Sequence, residues 1–140
     1  MKPLIHLLVS SILAILFYPI FNWGVLFILV GGVLIDIDHY FWCIFKQKNL
    51  NFLVCYKFHS VENKKNNYKE ITGDTLIFHT IEFLIASIIL SFYFKFMLIF
   101  TIGILSHYFL DILNYYFFMK RFVLNHSIIS WLYKNKIQKH

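Results

Sequence analysis

The chain has 140 residues, of which 59% are hydrophobic, 21% aromatic and only 14% charged. Ordinary soluble domains carry about 25% charged residues, so this composition excludes that class and indicates a membrane protein. The formal charge is +6, but the basic residues lie in the gaps between apolar runs and do not form a nucleic-acid-binding face. Composition therefore predicts membrane lipid as a partner and excludes nucleic acid.

Apolar runs and turn signals predict one all-α domain, an integral membrane bundle of four transmembrane helices. A short interfacial helix with a basic side follows near Trp131. The predicted spans are residues 4–18, 22–45, 74–94 and 96–118. Pro19 is expected to end the first helix, and Gly31 with Gly32 is expected to let a neighbouring helix approach closely. No small-residue cleavage site follows the first run, which is therefore expected to be a retained helix.

The distribution of basic residues predicts the orientation of the spans. Four spans place both termini and the polar segment 46–73 on one side, together with every basic residue except Lys95. The positive-inside rule makes that side cytoplasmic, so we expect a multi-pass inner (cytoplasmic) membrane protein with both termini in the cytoplasm. Residues 51–58 are expected to lie along the membrane interface. Cys43 and Cys55 lack a metal-finger spacing, and we interpret them as small apolar fillers that form no disulfide.

Acids and histidines interrupt the apolar spans, where ionisable groups are costly and usually mark a function. They are His6, Asp36, Asp38, His39, Asp74, His79, Glu82, His107 and Asp111. Counted along helices of alternating direction at a rise of about 1.5 Å per residue, these positions fall at similar heights. We therefore expect them to converge in one layer below the cytoplasmic surface.

Sequence spacing places several of these groups on shared helix faces. His107 and Asp111 are four residues apart, and Asp36 and His39 are three apart, so each pair shares a face. Asp38 would point elsewhere on a regular helix, and we therefore expect the helix to unwind at the DIDH element.

The remaining positions have alternative interpretations. His79 and Glu82 are three residues apart and would share a face of the third span. Asp74 follows Gly73 and could instead cap that helix. His6 could be a hydrogen-bonded packing residue, and Glu82 could be a histidine partner or an acid facing the backbone.

The mixture of histidine and carboxylate predicts a divalent metal site, with Zn or Mn favoured over a cysteine-type structural zinc. The predicted ligands are His6, Asp36, Asp38, His39, Asp74, His79, His107 and Asp111. This number exceeds what one ion needs, so two ions would use them. Such a site activates water for phosphoester hydrolysis, and its depth favours a phospholipid or other lipid-borne substrate. Glu82 or Asp38 would be the general base.

Four elements in this order resemble a known family. They are His6, LIDIDH ending at His39, DTLIFHT at 74–80, and GILSHYFLD at 103–111. The chain resembles the LexA-regulated, YdjM-like family of membrane-bound metal-dependent hydrolases. The resemblance implies metal-dependent hydrolysis, with the histidines and aspartates of these elements as ligands.

The chain departs from that family at three positions. Ile35 stands where the family has proline, Asp74 where it has histidine, and Thr75 where it has arginine. The arginine is a phosphate-binding cation in the family pattern, and its replacement here would come from Lys69, Lys120 or Arg121.

Three other functions fit the same residues. Buried acids and histidines also carry ions or protons in non-enzymatic transport proteins. Histidines in a helical bundle can bind haem axially, although the accompanying carboxylates argue against it. A purely structural membrane protein is the remaining alternative.

Overall fold

The computed structural model describes residues 3–58, 76–114, 116–117 and 127–137. Within these ranges every regular element is helical, which confirms the all-α prediction. The α-helices are α1 (Pro3–Phe21), α2 (Leu26–Val33), α3 (Ile37–Gln47), α4 (Phe52–Lys57), α5 (Ile81–Ser91), α6 (Lys95–Asn114) and α7 (Ile128–Ile137). Short 3₁₀ helices cover Asn22–Val25, Leu34–Asp36 and Ile77–His79.

The chain divides into two compact units. The first comprises Met1–Ile35 with Phe83–Phe122, and the second comprises Asp36–Glu82 with Val123–His140.

The first unit is built on a helical hairpin that α6 packs against. Asn22 adopts a left-handed backbone conformation with a φ of 48°, and α2 returns along α1 from this turn. Pro19 lies inside α1, so the prediction that it ends the helix is wrong. Proline removes only the hydrogen bond to the preceding turn, and the helix ends two residues later at Phe21, before the left-handed Asn22.

Glycines bring α2 and α6 into close contact within the first unit. A Cβ atom on Gly31 would overlap the carbonyl oxygen of Phe100, and one on Gly103 would overlap that of Ile28. The helix backbones therefore touch where larger residues would separate them, as predicted for Gly31 and Gly32.

Two helical runs in the described part of the chain are long and apolar enough to cross a membrane, namely Pro3–Gln47 and Lys95–Asn114. The first contains the turn at Asn22, so it comprises α1 followed by the α2–α3 stretch. Helix α5 has eleven residues. At a rise of about 1.5 Å per residue it is much shorter than the ~30 Å apolar core of a bilayer. The four-span prediction is therefore not confirmed.

The DIDH element lies at a break in helical geometry, as predicted. Leu34–Asp36 is a 3₁₀ turn, and α3 begins at Ile37. This change of winding rotates Asp36 and Asp38 away from the positions that a continuous α-helix would give them.

In the second unit, α3 packs against the short helix α4. Cys43 and Cys55 form a disulfide between these helices with their Cα atoms 5.6 Å apart, so the prediction of two unbridged fillers is wrong. The pair is buried beside Trp42, Phe58 and Leu76. Sequence spacing could not reveal this, because the approach depends on the turn that folds α4 back onto α3.

The third predicted span does not begin as expected. Asp74 lies outside the described residues, and α5 begins only at Ile81. His79 ends a 3₁₀ turn, and Thr80 has an extended backbone with its hydroxyl donating to the Ile77 carbonyl at 2.9 Å. His79 and Glu82 therefore do not share a face of one helix, and that prediction is wrong.

Candidate metal centre

In the first unit, α1 and α6 bring together three predicted ligands, which we call the α1–α6 cluster: His6, His107 and Asp111. Each offers a ligand atom within 4.8 Å of the others. His6 and His107 are almost completely inaccessible, at 1% and 0% exposure. Their rings stack with centroids 3.9 Å apart. The sequence predicts this convergence because all three interrupt apolar helices that are otherwise suited to lipid.

Asp111 uses a different oxygen to face each imidazole of this cluster. Its Oδ1 lies 3.4 Å from Nε2 of His6, and its Oδ2 lies 3.3 Å from Nε2 of His107. A charge-assisted hydrogen bond between nitrogen and oxygen spans about 2.7–2.9 Å, so both separations are longer than such a bond. They leave room for a cation shared by carboxylate and imidazole.

The protonation of His107 follows from its second ring nitrogen. Nδ1 lies 2.9 Å from the carbonyl oxygen of Gly32, which can only accept a hydrogen bond. Nδ1 therefore carries the proton, and in the neutral ring the lone pair is on Nε2, the atom that faces Asp111. A backbone carbonyl that orients a histidine in this way is the usual support of a metal-binding imidazole.

The second unit brings together four predicted ligands, which we call the α3–His79 cluster: Asp36, Asp38, His39 and His79. Ligand atoms of Asp38, His39 and His79 lie within 4.8 Å of one another. Asp36 Oδ1 lies 3.4 Å from Nε2 of His79 and 3.6 Å from Nε2 of His39. The side chains of His39 and Asp36 are partly exposed, at 18% and 22%.

Asp38 holds the segment that carries His79. Its Oδ2 accepts hydrogen bonds from the Phe78 amide at 3.1 Å and from Nδ1 of His79 at 3.0 Å. These bonds fix the His79 ring with Nε2 directed to Asp36. The other oxygen of Asp38 is buried and accepts no hydrogen bond from the described residues.

The electrostatics of the α3–His79 cluster favour a positive charge. Burial disfavours the imidazolium form, but hydrogen bonds to Asp36 and Asp38 outweigh it and raise the pKa of His79 to about 10. The two carboxylates carry a formal charge of about −2, which the protonated His79 offsets only in part. A divalent cation would balance that charge.

The separations in both clusters match those of atoms that share one ion. Zinc binds nitrogen and carboxylate oxygen at about 2.0–2.2 Å, so two tetrahedral ligand atoms lie about 3.3–3.6 Å apart. The four contacts between Nε2 atoms and carboxylate oxygens measure 3.3, 3.4, 3.4 and 3.6 Å. Each cluster can therefore hold a metal ion with histidine and carboxylate ligands.

Glu82 is engaged elsewhere in the second unit. Its carboxylate accepts hydrogen bonds from the Ser127 hydroxyl at 2.6 Å and from the amides of Ile128 and Ile129 at 3.1 and 3.3 Å. The Ser127 hydroxyl and these amides lower the pKa of Glu82 to about 2. Glu82 thus caps the N-terminus of α7, which agrees with the alternative of an acid facing the backbone.

Sequence reasoning missed one buried polar residue of the first unit, Ser10, on the helix that carries His6. Ser10 follows His6 by one helical turn, is 1% exposed, and has no hydrogen-bond partner among the described residues. The i, i+4 spacing between His6 and Ser10 was the sequence signal that places both residues on one helix face. The convergence of all predicted ligands in one layer stays a prediction.

None of the family models, curated proteins or solved structures compared with the chain matches it.

Proposed function

We propose that this chain is a membrane-embedded, metal-dependent hydrolase that acts on a phosphoester, with a lipid-borne phosphoester as the preferred substrate class. The single observation that carries the proposal is the match between the carboxylate–imidazole separations and the ligand spacing of one ion. The resemblance to the YdjM-like family, which rests on the same residues, supports the same reaction class.

The donor set suits zinc or manganese. Imidazole nitrogen and carboxylate oxygen are shared ligands of Zn²⁺ and Mn²⁺, whereas the two cysteines of the chain are bonded to each other. Such an ion, when bound, acidifies a water molecule and neutralises charge on a phosphoester. One ion in each cluster would use six of the predicted ligands, three from each cluster.

The residues of the α3–His79 cluster have three different roles in this proposal: metal ligand, orienting partner and general base. Asp36, His39 and His79 supply the ligand atoms, and Asp38 orients His79 through its hydrogen bond. The unpartnered Oδ1 of Asp38 is the acceptor that we assign as general base. Glu82 does not fill this role, because both of its oxygens are occupied at the α7 N-terminus and its pKa is low.

The surface of the protein supports a membrane location. Side chains on α1 and α6 that would be buried in a soluble protein are widely exposed, among them Ile15 at 73% and Phe109 at 60%. Monomeric soluble proteins rarely expose contiguous apolar patches beyond a few hundred Å². Lipid is the environment that satisfies such a surface, and it would deliver a lipid substrate directly to the protein.

The distribution of basic residues favours a cytoplasmic location for both termini and the polar segment. The disulfide is an observation against this orientation, because disulfides are rare in the cytosol. Cys43 and Cys55 are 1% and 3% exposed, so the bond is screened from reductants. We give the charges more weight, since twelve of thirteen basic residues agree.

The test is hydrolysis by protein purified in detergent without chelators. Bis(p-nitrophenyl) phosphate and phospholipid vesicles are the substrates, assayed with Zn²⁺ or Mn²⁺ and again after EDTA. We expect metal-dependent turnover that falls on the order of 100-fold or more in His107→Ala and in His79→Ala, since each removes a ligand. His140→Ala, a histidine of the polar C-terminal sequence, is the matched control and should retain full activity.

Two results would contradict the proposal. Turnover that survives EDTA would exclude metal dependence, and metal-loaded protein that cleaves neither substrate would exclude phosphoester hydrolysis. Ion flux into liposomes with no hydrolysis would favour a transport function.

A further inference from the structure

Ser10 is a buried hydroxyl on the same face of α1 as His6. It is 1% exposed, and its Oγ makes no hydrogen bond to any described residue. A buried hydroxyl without a partner is costly in a folded protein and calls for a physical explanation.

Four other hydroxyls in the described helices donate hydrogen bonds to their own helix backbone. Ser87, Ser91, Thr101 and Ser106 donate to carbonyl oxygens three or four residues earlier, at 2.6–2.8 Å. This local bond is the ordinary solution for serine and threonine within a helix. Ser10 does not use it, so its hydroxyl remains available to another group.

The surroundings of Ser10 place that hydroxyl beside the α1–α6 cluster. A Cβ atom on Gly32 would overlap Ser10 Oγ, so the glycine makes room for the hydroxyl. The carbonyl of the same glycine accepts the Nδ1 hydrogen bond of His107. Ser10 therefore lies next to the group that already orients one of the two imidazoles.

The second imidazole of the cluster lacks a corresponding support. Nε2 of His6 faces Asp111 at 3.4 Å, as Nε2 of His107 does at 3.3 Å. His107 donates from Nδ1 to a carbonyl, whereas Nδ1 of His6 is buried with no partner among the described residues. Histidines that bind metal almost always donate their other ring proton to an acceptor.

We infer that Ser10 is the positioning residue of His6: its Oγ accepts the Nδ1 proton when Nε2 of His6 binds a metal ion. The two residues are one helical turn apart on a shared face, so rotation of the serine hydroxyl group about Cα–Cβ brings the oxygen towards the ring. This inference rests on the metal site of the proposed function and assigns a role to a residue outside the ligand set.

The experiment compares Ser10→Ala with wild type in two measurements on purified full-length protein. Isothermal titration with Zn²⁺ gives the metal affinity, and thermal unfolding of the metal-free protein gives its stability. We expect zinc affinity to fall about 10- to 100-fold, the range measured for loss of an outer partner of a ligand. The metal-free protein should unfold at the same temperature or higher, because the variant removes an unsatisfied buried hydroxyl.

Ser87→Ala is the matched control, since it removes a buried helical hydroxyl that is satisfied by its own backbone. It should leave zinc affinity unchanged. A third readout is the Nδ1 proton of His6 in the zinc-loaded protein, which should exchange slowly by NMR in wild type and rapidly in Ser10→Ala.

Unchanged zinc affinity in Ser10→Ala, with zinc bound by wild type, would overturn the role of Ser10 and leave the metal site standing. A loss of affinity that comes with an equal loss of stability, or that Ser87→Ala reproduces, would also overturn it. Absence of zinc binding by wild type would overturn this inference together with the proposed function.

Discussion

A single carboxylate, Asp111, organises the α1–α6 cluster because its two oxygens face two different imidazoles. The Gly32 carbonyl forces the proton of His107 onto Nδ1, so in the neutral ring a lone pair on Nε2 would face a negatively charged oxygen. A proton or a metal ion between them removes that repulsion. The proposed ligand role of Asp111 thus rests on one backbone contact on the far side of His107.

Glu82 offers a test at the level of one side chain. Glu82→Gln removes the charge that stabilises the α7 N-terminus, so we expect this helix to fray. Limited trypsin digestion should then cleave at Lys136, an exposed lysine of α7, several-fold faster than in wild type. Zinc binding and hydrolysis should be unchanged, because the carboxylate contacts Ser127, Ile128 and Ile129 and is not among the ligand groups.

The opposite pattern would restore the general-base assignment of Glu82. A fall of turnover by about 10²-fold or more, with trypsin cleavage at the wild-type rate, is what loss of a general base produces. Glu82→Asp is a useful companion, since its shorter side chain keeps the charge but weakens the contact with the amides.

At the residue level, the sequence predicted which candidate ligands lie close together more successfully than it predicted the contacts that orient them. His6, His107 and Asp111 were identifiable because ionisable groups are expensive in apolar helices. The cap formed by Glu82 joins residues 45 to 47 positions apart, and the Asp38–Phe78 contact joins residues 40 apart. Local spacing carries no information about such contacts.

At the level of helices, two breaks in regular geometry position the α3–His79 cluster. A break in the helix at the DIDH element was predicted, because its three polar residues cannot share one face of a regular helix, and it takes the form of the 3₁₀ turn at Leu34–Asp36. The 3₁₀ turn that ends at His79 was not predicted, because it depends on Asp38 accepting the Phe78 amide. The apolar composition predicted a span that begins at residue 74. The observed helix α5 begins at Ile81, after the 3₁₀ turn and the extended Thr80.

The close contact between α2 and α6 gives a stability prediction. Gly103→Ala places a methyl group against the backbone of Ile28 and Gly32, neither of which can move independently of its helix. We expect the protein to lose about 1–3 kcal/mol of stability, the usual cost of overpacking. Thermal unfolding in detergent, monitored by circular dichroism, would measure the loss.

Leu105→Ala is the control for that experiment, because Leu105 is on the same helix and is exposed. Its unfolding temperature should change much less. Equal shifts for the two variants would contradict a special role for the glycine contact.

At the level of the whole molecule, composition and a few ionisable residues predicted the helical class and the candidate ligands. The four predicted spans are not confirmed, since two helical runs in the described residues are long and apolar enough to cross a membrane. The sequence also missed the disulfide, because two cysteines twelve residues apart reveal nothing about the turn that joins α3 and α4. Predictions thus succeeded where local chemistry decides the outcome and failed where distant contacts do.

The central claim is that histidines and carboxylates of this protein bind a metal ion directly. X-ray absorption spectroscopy of protein purified without chelators and loaded with Zn²⁺ tests it most directly. The account predicts nitrogen and oxygen ligands at about 2.0–2.2 Å, with the outer-shell scattering of at least two imidazoles and no sulfur ligand. Zinc that remains fully hydrated, or a zinc–sulfur distance near 2.3 Å, would contradict the account.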